Sequence, residues 1–123
     1  MTTKRCIIIP AYNEGNNISS VIENIREYSG DADIIVIDDG SNDSTAAMAQ
    51  KAGAFVIRHP FNMGYGVALQ TGYKYAVQHR YDLLVQMDGD GQHRAEFIPE
   101  LFKNVEDDAC DVVIGSRFLS LDP

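Results

Sequence analysis

Five short runs of apolar residues, most of them rich in isoleucine and valine, restrict the fold that this sequence can adopt. In chain order these runs cover residues 6–9, 34–37, 54–57, 83–85 and 112–114. They lack the alternation of polar and apolar residues that marks a half-exposed strand, so they are typical of strands buried on both faces of a parallel sheet. The longer stretches between the runs must then carry the chain back across that sheet.

Helical periodicity fills the stretches between the runs. Between the first two, apolar residues have the spacing of an amphipathic helix: Ile18, Val21, Ile22 and Ile25. An alanine-rich helix is expected over residues 44–52, before Gly53. One more stripe is predicted in 64–80, from Ala68, Gly72, Tyr75, Ala76 and His79, and another before the fifth run, from Phe97, Ile98, Leu101, Phe102 and Val105. The alternating order predicts a three-layer, doubly wound α/β fold with a mainly parallel sheet, formed as one domain by residues 1–123.

Charge and cysteine content narrow the possible partners and the compartment. The formal net charge of −8 argues against nucleic acid as a partner, because binding to phosphates needs lysine and arginine. Cys6 and Cys110 both lie in or beside apolar runs without metal-ligand spacing, so we expect reduced, buried thiols in a cytoplasmic protein. No stretch reaches the roughly 18 apolar residues that a membrane span needs, and the first residues lack the apolar core of a signal peptide.

Polar residues follow four of the five runs, at the edge where parallel strands end and where open α/β sheets bind ligands. These segments are residues 10–14, 38–41, 88–93 and 115–117. Five of their side chains are acidic: Glu14, Asp38, Asp39, Asp88 and Asp90. Like charges gathered at one edge cost free energy unless a cation or hydrogen-bond donors compensate them.

A divalent cation would resolve this repulsion. Asp88 and Asp90 stand two positions apart in a glycine-flanked turn, so both carboxylates can approach one ion. Mg²⁺ and Mn²⁺ prefer such oxygen ligands and complete their shell with phosphates and water. Arg117 is a candidate for a second positively charged contact to the phosphates, in addition to the metal ion. Asp38, taken alone, is better explained as a structural residue that caps a helix or binds backbone amides.

Other nucleotide and calcium motifs fit this sequence less well. An EF-hand loop beginning at Asp88 would need glycine in place of His93 and glutamate in place of Pro99. The segment after the first run, 11–14, lacks the glycines of a dinucleotide-binding turn, and no Walker motif is present. The glycine-rich, basic phosphate loop usual in nucleotidyltransferases of similar fold is also missing after the first run.

Five blocks of the sequence together resemble a known family. They are IIIPAYNE at 7–14, VIDDGSNDST at 36–45, NMG at 62–64, QMDGDGQH at 86–93 and VIGSRF at 113–118. In this order they resemble glycosyltransferase family 2, whose fold is GT-A. The resemblance is strongest to its dolichyl- or polyprenyl-phosphate mannosyl- and glucosyltransferase branch, and it covers nearly the whole chain.

The resemblance implies a role for each matching position. The base and ribose of a nucleotide would be bound by Pro10, Tyr12, Glu14, Ile37 and Asp39, with Asp39 accepting a hydrogen bond from the base or ribose. Asp88, Gly89 and Asp90 would form the DxD-type motif that binds the diphosphate through Mg²⁺ or Mn²⁺. Gln92 would be a third metal ligand, Asp90 would have the catalytic role, and Arg117 would lie near the phosphates.

The resemblance also implies the reaction, an inverting transfer from a UDP- or GDP-sugar to an acceptor such as a polyprenyl phosphate. Members of the family continue beyond the equivalent of Pro123, so we expect a truncated GT-A domain that contains the donor-binding part. A non-catalytic nucleotide-sugar-binding module, or an inactive fragment, is the alternative. A missing partner surface would leave a sheet edge or apolar patch that favours homo-oligomers. The full-length protein is expected in the cytoplasm, at the cytoplasmic face of the membrane if its acceptor is a lipid.

Overall fold

The computed structural model of the chain describes residues 3–89, 95–108 and 112–114, with side chains up to residue 103. The elements, in chain order, are β1 (Arg5–Ala11), α1 (Ile18–Tyr28), β2 (Asp33–Asp38), α2 (Thr45–Lys51), β3 (Phe55–Arg58), α3 (Tyr65–Gln78), β4 (Leu83–Gln86), α4 (Ile98–Asp108) and β5 (Val112–Ile114). A short 3₁₀ turn, Ala95–Phe97, leads into α4. All five predicted strands are therefore present, within one or two residues of the apolar runs.

The strands form one sheet in the order β3-β2-β1-β4-β5, and each neighbouring pair is parallel. The central strand β1 has β2 on one side and β4 on the other, so that Ile7 pairs with both Ile34 and Val85. The strand order reverses at this point, and ligands of doubly wound sheets bind at such a reversal. The predicted α/β fold with a parallel sheet is confirmed.

Alternate residues of each strand pack into two separate apolar layers, because successive side chains of a strand point to opposite faces. On one face, Ile7 and Ile9 pack against α1 and α4, and on the other, Cys6 and Ile8 pack against α3. Cys6 is fully buried, as expected, whereas Cys110 lies outside the described residues. No helix in the described ranges is long and apolar enough to span a bilayer.

The predicted helical stripes are mostly correct. All four apolar residues of α1 are buried, and Ala68, Gly72 and Ala76 form the buried face of α3. His79 does not belong to that face: α3 ends at Gln78, and His79 is exposed in the cap that follows. The helical period stops there because Arg80 adopts a left-handed conformation, with φ 59°.

Gly72 allows α3 to approach the sheet closely. A Cβ atom at this position would lie 2.5 Å from Cγ2 of Ile8, far inside van der Waals contact. The absence of a side chain therefore brings the axis of α3 down onto β1. This close packing positions the first turn of α3 above the edge where β1, β2 and β4 end.

Candidate functional site

The carboxyl ends of β1, β2 and β4 form a rim, and the loops that follow these strands meet there. The N–H of Asp39, just after β2, donates to the carbonyl of Ala11 at the end of β1 (2.9 Å). On the other side, Gly89 lies so close that a Cβ atom on it would be 3.3 Å from Cβ of Ala11. The loops that contain Asp39 and Asp88 therefore lie on either side of β1, at the same end of the sheet.

Hydrogen bonds join the loop after β1 to the loop after β2. The N–H of Asn13 donates to Oγ of Ser41 (2.8 Å), and the N–H of Asn42 donates back to Oδ1 of Asn13 (2.9 Å). The N–H of Glu14 donates to Oγ1 of Thr45, the first residue of α2 (2.9 Å). Asn13 has a φ of 54°, a conformation that asparagine tolerates better than most residues. These contacts fix the backbone of the rim loop on both sides of Asn13.

The residues predicted for the base and ribose pocket differ in accessibility. Pro10 and Ile37 are buried, so they can contribute to the floor of a pocket but have little surface to offer a ligand. Tyr12 is 43% exposed, and its ring is available for stacking. Glu14 is half-buried and accepts a hydrogen bond from Nδ2 of Asn17 (3.1 Å). Of these four side chains, that of Tyr12 is the most open to a planar ligand.

Asp38 has the structural role that its position alone predicted. Its side chain is buried, and Oδ1 accepts a hydrogen bond from the N–H of Ser41 (3.0 Å). Oδ2 lies 3.3 Å from Nε of Arg58 and forms an ion pair without hydrogen-bond geometry. Asp38 therefore shapes the turn after β2 from beneath the rim.

Asp39 is buried and anchors the segment that precedes α3. Oδ1 accepts from Nδ1 of His59 (2.8 Å) and from the N–H of Met63 (2.9 Å), and Oδ2 accepts from the N–H of Gly64 (2.9 Å). Burial raises the pKa of this carboxyl, but the hydrogen bond from His59 and those from the two backbone amides outweigh it and leave the pKa below its ordinary value. Three of about four acceptor positions on the carboxylate are filled, which leaves one for a ligand.

His59 is a site residue that the sequence analysis missed. Its imidazole spans Asp39 and Thr71, with Nε2 lying 2.8 Å from Oγ1 of Thr71 on α3. The sequence did contain an indication of this role. His59 comes just after the third apolar run and directly follows its strand β3, so it lies at the same end of the sheet as the other candidates.

Asp88 lies in a different environment from Asp39. It is half-buried, and Oδ1 accepts a hydrogen bond from the hydroxyl of Tyr65, the first residue of α3 (3.2 Å). The N–H of Gly64 bonds to Asp39, so two consecutive residues, Gly64 and Tyr65, contact the two rim carboxylates. The start of α3 therefore lies between the acidic groups that follow β2 and β4.

The carboxylate of Asp88 is more open to a metal ion than that of Asp39. Among the side chains that the structure describes, only Tyr65 donates to Asp88, and it uses one of the two carboxylate oxygens. Both oxygens of Asp39 already accept hydrogen bonds in a buried position. Within the described ranges, no three acidic, histidine or cysteine side chains come together as a metal site. The other predicted ligands, Asp90 and Gln92, and the predicted phosphate contact Arg117, lie outside those ranges.

Solved structures of glycosyltransferases share this fold. Glucosyl-3-phosphoglycerate synthase from Mycobacterium tuberculosis, in complex with Mn²⁺, uridine diphosphate and glucosyl-3-phosphoglycerate, matches with a TM-score of 0.67 and 27% identity over 84% of this chain and 39% of that one. The same synthase has also been crystallised with Mg²⁺ and uridine diphosphate. The predicted GT-A type of α/β fold is therefore confirmed.

The sequence comparison identifies the family. The profile of the family described as Glycosyl transferase family 2 matches residues 6–122, nearly the whole chain. The chain belongs to glycosyl transferase family 2, as its five sequence blocks predicted.

Several relatives belong to the polyprenyl-phosphate branch to which the blocks pointed. The polyprenol monophosphomannose synthase of Mycolicibacterium smegmatis is 32% identical over 124 residues, which cover 96% of this chain and 46% of the synthase. The UDP-N-acetylglucosamine–dolichyl-phosphate N-acetylglucosaminyltransferase of Methanococcus voltae is 33% identical over 128 residues, covering 90% of this chain and 51% of that enzyme. The chain thus spans about half the length of these relatives.

Proposed function

We propose that this chain is the donor-binding part of an inverting glycosyltransferase that uses a nucleoside diphosphate-sugar and a divalent cation. The acceptor that we propose is a polyprenyl phosphate at the cytoplasmic face of the membrane. The main support is the meeting of Asp39 and Asp88, which follow different strands, at the first turn of α3. This arrangement provides a buried carboxylate with three acceptor positions filled, beside a more open one, at the ligand-binding edge of a GT-A sheet.

The nucleoside half of the donor would bind on the β2 side of β1. The exposed ring of Tyr12 is suited to stacking on a base, and buried Pro10 and Ile37 would form the floor. Asp39 has one acceptor position left for an N–H or O–H group of the base or ribose. Glu14, half-buried beside the rim, is the second acceptor on this side.

The diphosphate half would bind on the β4 side. Asp88 would bind the cation together with Asp90 and Gln92, and Arg117 would contact the phosphates. When bound, Mg²⁺ or Mn²⁺ would neutralise the charge that develops on the departing nucleoside diphosphate. Gly89 leaves the loop close to Ala11, with no side chain to fill the space above β1.

The proposed transfer inverts the configuration of the sugar. An acceptor oxygen attacks the anomeric carbon from the face opposite the nucleoside diphosphate, so one C–O bond forms as the other breaks. A lipid phosphate is already anionic and needs no general base to lose a proton, in contrast to a sugar hydroxyl.

Because the chain spans about half the length of its relatives, we expect the 123-residue chain to bind the donor but to transfer little sugar by itself. Self-association through the sheet edge stays a prediction, and sedimentation at high concentration would test it.

Calorimetric titration of UDP and of GDP, with Mn²⁺ and with EDTA, tests the proposal directly. We expect one of the two nucleotides to bind more tightly when Mn²⁺ is present. Asp90→Ala should abolish this metal dependence, because it removes a predicted ligand. Asp31→Ala is a matched control, since Asp31 pairs with Arg5 at the other end of the sheet and should leave binding unchanged.

The titrations test the proposed function and the position of the cation separately. Failure of both nucleotides to bind the wild-type chain would refute the function itself. Metal-dependent binding that is equally tight in Asp90→Ala would show that the cation site is wrongly assigned.

A further inference from the structure

A continuous chain of hydrogen bonds leads from the middle of α3 to Asp88. The hydroxyl of Tyr73 donates to Oε1 of Gln86 (2.6 Å), and Nε2 of Gln86 donates to the hydroxyl oxygen of Tyr65 (2.9 Å). The hydroxyl of Tyr65 then donates to Oδ1 of Asp88 (3.2 Å). Gln86 is fully buried at the end of β4, where an unpaired amide would cost about 1–3 kcal/mol. Both ends of this amide are paired, and α3 supplies both partners.

The ionised carboxylate fixes the direction of every donor in this chain. A carboxylate only accepts hydrogen bonds, so the single hydroxyl hydrogen of Tyr65 must point to Asp88. The oxygen of Tyr65 must therefore accept from Gln86, which requires the NH₂ end of the amide on that side. The carbonyl end of Gln86 then faces Tyr73. A reversed amide would break the chain, so only one amide orientation satisfies all four side chains.

Strand geometry places Gln86 and Asp88 on the same side of the sheet. Leu84 and Gln86 point to the α3 face, whereas Val85 and Met87 pack in the opposite apolar layer with α1 and α4. Asp88 continues this alternation and meets α3 through Tyr65. The direction of the Asp88 side chain therefore depends on the same helix that pairs Gln86.

We propose that Tyr65 and Gln86 are positioning residues that orient the Asp88 carboxylate for a divalent cation. This inference rests on the proposed function, because it assigns Asp88 to the cation site. Gln86 fixes the hydroxyl of Tyr65, and that hydroxyl limits the rotation of the carboxylate before the ion arrives. Hydrogen-bond partners of metal ligands commonly contribute 10- to 100-fold to metal affinity in this way.

The test measures how much Mn²⁺ strengthens nucleotide binding in Tyr65→Phe. This change keeps the ring and removes the hydroxyl that contacts Asp88. Calorimetric titration of the preferred nucleoside diphosphate, at saturating Mn²⁺ and in EDTA, gives the enhancement as a ratio of affinities. We expect the ratio to fall about tenfold, while the affinity in EDTA stays within about twofold of wild type. Tyr75→Phe is the matched control, because it makes the same change on α3 at a ring with stacking contacts to Phe55 and His79.

Gln86→Met is the second variant, in case Tyr65→Phe does not fold, and thermal melting monitors the folding of both. Gln86→Met removes the amide that directs the Tyr65 hydroxyl. The enhancement of nucleotide binding by Mn²⁺ should therefore also fall, by about threefold or more. An unchanged or larger enhancement in a folded variant would overturn the inference. A wild-type chain without any Mn²⁺ enhancement would instead refute the proposed function, so the two failures are distinguishable.

Discussion

Replacing Asp39 by alanine should destabilise the protein far more than replacing Asp88, although both carboxylates lie at the same rim. Asp39 is 3% exposed and accepts hydrogen bonds from His59, Met63 and Gly64. Each donor left without a partner in a buried site costs about 1–3 kcal/mol. Met63 is 42% exposed and Gly64 is half-buried, so water can partly replace the carboxylate at these two amides. We therefore expect Asp39→Ala to lower the free energy of unfolding by about 3–4 kcal/mol.

Asp88→Ala is the matched control. Asp88 is half-buried and accepts one long hydrogen bond, from the neutral hydroxyl of Tyr65 (3.2 Å). Such a bond contributes about 0.5 kcal/mol, and the loss of one negative charge from a chain of net charge −8 offsets part of it. We expect the free energy of unfolding to change by less than about 1 kcal/mol.

Urea unfolding followed by circular dichroism measures both changes. Domains of this size have a total stability of about 5–15 kcal/mol, so Asp39→Ala could leave the chain partly unfolded. Asp39→Asn is then the informative variant, because its amide oxygen can still accept from some of the three donors and should give an intermediate loss of about 2 kcal/mol. Equal destabilisation by Asp39→Ala and Asp88→Ala would refute the assignment of different roles to these two carboxylates.

Three further predictions follow from single residues. The pKa of Asp39 is lower in the folded state than in the unfolded state, so its contribution to the free energy of unfolding is complete above the unfolded pKa of about 3.9. That contribution is lost as the pH falls through the folded value. The difference in stability between wild type and Asp39→Ala, measured by urea unfolding, should therefore shrink below about pH 4. Burial raises the pKa of Cys6 to about 12, so in a Cys110→Ser background a thiol reagent at pH 8 should modify Cys6 only after unfolding. Gly40→Ala should lower the free energy of unfolding by at least about 2 kcal/mol, because Gly40 has a φ of 75° and the new Cβ would lie 2.3 Å from a backbone carbon. Gly66→Ala has open space around the new Cβ and should be neutral or stabilising. Thermal melts measure both changes.

The sequence predicted the sheet and the four helices because burial leaves a regular pattern in the chain. A strand buried on both faces needs a continuous apolar run, and a helix packed on one side needs apolar residues every three or four positions. Ile18 and Ile25, two turns apart in α1, are both fully buried for this reason. His79 was misplaced because a periodic pattern does not indicate where the backbone leaves the helix. The left-handed conformation of Arg80 decides that point, and arginine gives no sequence signal for it.

The sequence did not indicate which polar residues contact one another across the rim. Gln86 could have been noticed as a polar residue at a position that the alternation of β4 makes inward-facing, but its partner Tyr65 lies 21 residues earlier in the chain. The contact of Asp39 with the N–H of Gly64 spans 25 residues and involves a backbone group, which any residue type except proline could supply. Such contacts leave no pattern, so the distinct roles of the two carboxylates become visible only in the folded chain.

The compensation of charge at the rim also favours Asp88 as the position of the proposed cation. Like charges gathered at the rim of a chain with net charge −8 cost folding free energy unless cations or hydrogen-bond donors compensate them. Asp38 pairs with the guanidinium of Arg58, and Asp39 accepts hydrogen bonds from His59 and from two backbone amides. Within the described part of the rim, Asp88 receives only a neutral hydroxyl. Of these three aspartates, Asp88 is therefore the one that the described side chains compensate least, and a cation that arrives with a diphosphate would gain most from binding there.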